Sequence, residues 1–227
     1  MNSKVFEYLD MLYPNPKCEL EYSKDYELLI AVLLSAQTTD KRVNKVTRIL
    51  FNKYKSIKEL SEAKTSDIED IIREIGTFRR KSIYIHEITT KLVNDGFDYI
   101  PNDRVYIEGL PGVGRKTANV FLSNIYDEPA IAVDTHVSRV SKRLGIAKDS
   151  DDVSIIEKKL MKKIPKERWS RTHHQLVLFG RYRCKAINPQ CDDCEIRKLC
   201  KYKKNWYFLV SVFVIIFLRL PRLDIEW

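Results

Sequence analysis

The sequence predicts an all-α fold, and three observations predict it. Apolar residues recur at helical spacing, as Val43, Val46, Ile49 and Leu50 do. No segment alternates polar and apolar residues at strand spacing for long. The periodic stretches are cut by Pro, Gly, Asn and Asp, which end helices or start them. At 227 residues, with 44% hydrophobic and 31% charged residues, the chain can bury a real core and is not disordered. Its formal charge of +9 favours a polyanionic partner without specifying one.

Taken in order, Val5, Phe6, Leu9 and Leu12 share one face of a helix that Tyr13-Pro14-Asn15-Pro16 stops. Lys4, Glu7 and Asp10 interrupt that stretch, so it reads as an amphipathic helix rather than a signal peptide, and the expected location is cytoplasmic. The stretch 26–37, YELLIAVLLSAQ, is apolar nearly all round and predicts a buried helix. Asp40 is expected to cap a helix over 41–54. Short helices follow near 56–63 and 67–75, Gly76 ending the second, and a longer one spans roughly 78–94. Beyond Asp134 the pattern predicts helices near 135–145, 152–163 and 167–183, separated by Gly145 and Pro165.

The chain is organised around residues 107–136. A short helix ends there, turns through Leu110-Pro111-Gly112-Val113-Gly114, and a new helix starts at Arg115-Lys116-Thr117. Pro111 suits a tight turn, and Gly112 and Gly114 admit positive φ and close approach. The amides of Gly112, Val113 and Gly114 are expected to point outward at a helix N-terminus, an anion site. Lys116 stands in the first turn of that helix, and Asp134 follows before the apolar pattern of 137–144. Taken alone, the turn is equally well a plain helix connector and Asp134 a helix cap.

Cys184, Cys191, Cys194 and Cys200 follow a C-x6-C-x2-C-x5-C spacing. Four cysteines this close in a cytosolic chain share a metal rather than form disulfides. Zinc sites bring cysteines in close pairs, and only Cys191 and Cys194 make one here; the wider gaps suit an iron–sulfur cluster, each iron held by one thiolate. Zinc stays open on spacing alone. Cys18 reads as a lone thiol with no role. His173 and His174 read as packing residues.

The LPGVGRKTA turn with Lys116, the VDTH segment with Asp134, and the cysteine spacing together resemble the endonuclease III family of helix-hairpin-helix DNA glycosylases. The resemblance covers about Glu19 to Tyr202. It implies two lobes: a helical bundle over 20–129 ending in the hairpin, and a second lobe joining 1–19 to 130–205, with Lys116 and Asp134 in the cleft between them. It also implies a [4Fe–4S] cluster on the four cysteines, as a structural and electrostatic element whose loop presents Lys185 to DNA phosphate. By resemblance, Lys116 attacks C1′ of the damaged nucleotide and Asp134 offsets the cationic sugar. Gln37 fills the space the base vacates. The hairpin amides and Arg115 grip the backbone. An unperturbed lysine, with pKa about 10.4, is neutral only a few parts in ten thousand at pH 7; lowered to about 8, it would be neutral about one part in ten.

The implied function is base-excision repair: removal of oxidised pyrimidines from damaged duplex DNA, with nicking at the abasic site. It needs no small-molecule cosubstrate, acts as a monomer and places the chain on the nucleoid. The alternatives are a non-catalytic helix-hairpin-helix binding module with a structural metal, and a mismatch-directed monofunctional glycosylase; the lysine at 116 argues against the latter. Where relatives carry a second, apolar wedge after the glycine at 76, this chain has Thr77-Phe78-Arg79-Arg80, leaving Phe78 or Arg79 to substitute. The tail 206–227 lies outside the family pattern. Its run WYFLVSVFVIIFL would span roughly 20 Å as a helix, short of the ~30 Å hydrocarbon core. It is read as a non-native or poorly selected extension, apolar and β-branched and so prone to aggregate, a surface-lying or marginally inserted segment being the alternative.

Overall fold

Eleven α-helices are present among residues 1–202, the part of the chain that the computed structural model describes; the tail 206–227 lies outside the described residues. The first is α1 (Ser3–Leu12), then α2 (Asp25–Ser35), α3 (Asp40–Lys53), α4 (Ile57–Glu62), α5 (Thr65–Ile72) and α6 (Phe78–Asn94). The hairpin is α7 (Arg104–Glu108) and α8 (Arg115–Ile125), followed by α9 (Thr135–Arg143), α10 (Val153–Lys163) and α11 (Trp169–Leu178). No strand forms among the described residues.

Side chains chosen for the purpose start several of these helices. Asn2, Ser56, Asp103, Asp134 and Asp152 each accept a backbone N–H in the first turn they precede, a contact worth about 1 kcal/mol. Asp40 does not do so. It lies inside the first turn of α3 behind Thr39, and its carboxylate is taken by Arg181 instead. The helix expected over 167–183 is composite: a 3₁₀ turn at Lys166–Arg168, α11, then a π-helical turn at Phe179–Arg183. That turn widens the chain just before Cys184, whose N–H donates back to Phe179 at 2.7 Å.

Two apolar clusters result. The first gathers Leu20 to Leu122 around α2, whose residues 28–34 are all buried. The second joins Val5, Tyr8 and Leu9 of α1 to residues from Ile131 to Ile196. Asp10 fixes α1 to the second cluster by accepting from Arg168, Arg171 and Gln175. The segment Ala130–Val133, buried throughout, links α8 to Asp134 and places Ile131 and Val133 in the second cluster.

Candidate active site

Lys116 is exposed in the first turn of α8, and it lines a cleft of about 90 Å³ together with Asp134. The cleft opens where both clusters contribute walls: Val32 and Ser35 from α2, Val120 from α8, and His173 and His174 from α11. Asn119, one turn beyond Lys116, sets the spacing of the two halves. Its amide donates to the Ile131 carbonyl at 3.3 Å while its oxygen accepts from Arg104 at 2.8 Å. Asp134 caps α9 through Oδ1, which accepts from the Val137 N–H at 2.7 Å. Capping consumes one oxygen and leaves the carboxylate on the cleft wall.

The hairpin departs from expectation in its donors. Val113 is buried and its N–H closes the turn on Leu110 at 3.0 Å, so it is not open to an anion. Gly112 has φ +73°, and a Cβ there would lie 2.4 Å from the Tyr84 ring, so both conformation and space demand glycine. Gly114 has φ −103°, which any residue adopts; its Cβ direction is empty, leaving room for close approach. Arg115 faces the second cluster and pairs with Glu157 at 2.6 Å.

Gln37 lies beyond the end of α2, exposed, in the left-handed region at φ +62°. Thr77 does the same before α6 at φ +57°. Phe78 packs against the first cluster, with the exposed Arg79 over its ring.

Sequence reasoning missed several residues on the cleft. Arg181 reaches from the π-helical turn to Glu19 and, at 2.7 Å, to Asp40. Tyr182 donates to the other Glu19 oxygen at 2.6 Å. Although desolvation works against it, these carboxylates raise the pKa of Arg181 further. Cys18, read as a thiol without a role, is part of the same wall, and burial pushes it up to about 11. His173 and His174 do pack, but on the cleft, and burial together with His174 and Lys116 pushes His173 down to about 3. The partners lie too far apart in sequence for any local pattern to reveal them.

The four motif cysteines line a second cavity, with Val140, Leu144, Phe179 and Ile196 among its apolar walls. None of the five cysteines of the chain is in a disulfide. Among the described residues no three or more His, Cys, Asp or Glu are drawn together tightly enough to hold a metal ion. Arg143 spans the motif. Its Nη1 donates to Cys184 Sγ at 3.2 Å and to the Lys185 carbonyl at 2.7 Å, while its own carbonyl accepts from Lys201 N–H at 2.7 Å and Cys200 Sγ at 3.3 Å. Lys185 is exposed on the loop this arginine holds.

A helix hairpin, glycines at its turn, and a lysine and an aspartate on one cleft are the arrangement expected of a helix-hairpin-helix protein. In agreement, residues 30–166 match the HhH-GPD superfamily of base excision DNA repair proteins. The chain is 47% identical over 205 residues to Endonuclease III of Bacillus subtilis (strain 168), covering 88% of this chain and 94% of that one. It is 42% identical over 192 residues to Endonuclease III of Escherichia coli (strain K12), covering 85% and 90%. A solved structure described as a trapped Endonuclease III–DNA covalent intermediate superposes with a TM-score of 0.83 at 46% identity, over 88% of this chain and 96% of that one. The chain belongs to the endonuclease III family.

Proposed function

We propose that this chain removes oxidised pyrimidines from damaged duplex DNA and then nicks the strand at the abasic site. The observation that carries the reading is the shared cleft of Lys116 and Asp134 beneath the hairpin. A relative that forms a trapped covalent intermediate with DNA supports it. The nucleotide must leave the stack to reach such a cleft. Gln37, exposed beyond α2, fills the gap, and the Gly112 and Gly114 amides hold the backbone without reading sequence.

Lys116 Nζ attacks C1′, and the glycosidic bond breaks with its electron pair leaving on the base; the proton that the nitrogen gives up on bonding passes to the departing base. Asp134 offsets the positive charge that builds on the sugar. The sugar ring opens to the imine, a C2′ proton is removed, and the C3′–O bond breaks, releasing the 3′ phosphate. Arg115, held by Glu157, orients the start of α8 and lies beside the strand path. Lys185 meets a phosphate from the cluster loop.

Cys184, Cys191, Cys194 and Cys200 would hold a [4Fe–4S] cluster, one iron each. The four thiols are too far apart to close on a single ion, but they line one largely apolar cavity and one of them accepts from Arg143, a wider arrangement that suits an anionic multi-iron group. Bound there, the cluster supplies a rigid, charged core for the loop and takes no part in the bond changes. The protein would act as a monomer at the nucleoid, without a small-molecule cosubstrate, with residues 20–129 and the pair 1–19 and 130–205 as its two lobes. The described residues hold no helix long and apolar enough to cross a membrane.

Borohydride tests the chemistry. It should fix the wild-type protein covalently to a duplex containing an oxidised pyrimidine; no adduct would leave a binding module or a monofunctional glycosylase. Anaerobic purification tests the cofactor: a brown protein with iron and sulfide is expected, and a colourless zinc protein would overturn the cluster.

A further inference from the structure

Gln37 and Thr77 are two non-glycine residues in the left-handed region, on turns that face each other. A Cβ on Gly76 would lie only 3.7 Å from the Gln37 carbonyl oxygen and 4.0 Å from its Cβ. Each such residue is strained and persists only where its surroundings hold it. The turn at Gln37 has a further cost, because the last carbonyls of α2 lack helical partners at the negative end of the helix dipole.

One residue touches both turns. Lys81 is 5% exposed, and its Nζ donates to the carbonyls of Leu34 at 3.0 Å and Ala36 at 2.6 Å. Burial lowers its pKa, a cost that packing alone does not explain, since methionine would fill the same space. Its own N–H donates at 3.1 Å to the carbonyl of Thr77 in the first turn of α6. The side chain therefore holds the carbonyl just before Gln37 from a helix whose first-turn backbone bond, Lys81 N–H to Thr77, sets its height above that turn.

We propose that Lys81 is a positioning residue for nucleotide eversion: it fixes the turn from which Gln37 enters the duplex and joins that turn to Thr77. The inference rests on the reading of Gln37 as the residue that fills the gap. A glutamine on a loose turn would have to be ordered each time a base leaves, and the ordering would slow excision. A glutamine held in place enters at no such cost.

Two substrates separate this role from general support. One is a duplex with an oxidised pyrimidine, where a gap must be filled. The other is an abasic site in single-stranded DNA, where there is no gap. Gln37→Ala should lose excision on the duplex and keep cleavage of the single strand. Lys81→Met should show the same split, losing about ten-fold or more on the duplex under single turnover. The double variant should be no slower than Gln37→Ala, because the two act as one unit. Lys81→Arg, which keeps charge and donors, should restore the duplex rate. If Gln37→Ala is fully active on the duplex, the gap-filling reading fails and takes this inference with it. If Gln37→Ala is impaired and Lys81→Met is not, the inference alone is overturned. Equal losses on both substrates, or losses that multiply in the double variant, also overturn it. Should the methionine variant not fold, Lys81→Gln, with a donor and no charge, carries the same comparison.

Discussion

At the residue scale, the roles proposed for Lys116 and Asp134 are separable because they concern different atoms. Lys116→Ala removes the amine proposed to attack C1′ and leaves the hairpin amides in place. Duplex binding should survive while base release and strand cleavage fall by about two orders of magnitude or more, and borohydride should trap nothing. An adduct formed at the wild-type rate would assign the nucleophile to another amine. Asp134→Asn keeps an oxygen for the Val137 N–H and loses the charge, so it should slow excision more than cleavage of a preformed abasic site. His173 makes a prediction about pH. Folded, its ring stays neutral because its pKa is about 3; unfolded, it takes a proton near pH 6.5. Its contribution to stability is therefore full above about pH 6.5 and is lost as pH falls towards about 3. Between pH 7 and 5 the wild type should lose about 2 kcal/mol that a His173→Gln variant does not lose, read as the difference in melting curves.

At the scale of elements, the stretch from Cys184 to Lys201 has little regular structure of its own, only a 3₁₀ turn at Arg197–Leu199. It is shaped by α9. Arg143 holds the first cysteine, the loop carbonyls of Lys185 and Ala186, and through its own carbonyl the last cysteine. Tyr202 stacks on its guanidinium at 4.1 Å. Arg139 adds a bond to the Cys184 carbonyl at 3.1 Å. Replacing Arg143 by methionine removes charged hydrogen bonds worth about 1.5–3 kcal/mol each. The variant should bleach several-fold faster under a chelator and hold less iron and sulfide per chain, with α-helix content unchanged. Wild-type bleaching would show that the loop holds itself.

At the scale of the whole molecule, the two apolar clusters leave a cleft whose walls come from both, and Arg181 bolts them together across its mouth through Glu19 and Asp40. The net charge of +9 lies on a molecule whose proposed contacts go to phosphate. Binding to undamaged duplex should thus weaken with salt and ignore sequence. Lys185→Ala should lower the slope of log affinity against log salt by about 1, uniformly over unrelated duplexes. An unchanged slope would remove Lys185 from the interface.

The helices, the hairpin and the cysteine motif were legible in the sequence because each is specified locally. Helical period marks α3 and α6, Pro111 and Gly112 mark the turn, and three short gaps mark the thiols. That Lys116 and Asp134 share a cleft was legible only through family resemblance, which is also what singled out Gln37. Tertiary structure alone decided what stands around them. Glu19 and Asp40 meet Arg181 across 162 and 141 residues, and Lys81 meets α2 across 45 and 47. It also put Cys18 and His173 on the cleft, withdrew the Val113 amide into the turn, and turned Arg115 to Glu157. The physical reason is one of range. Period and turn chemistry act over a few residues, whereas a buried cation or carboxylate finds its partner only after two apolar cores have packed and chosen which surfaces meet.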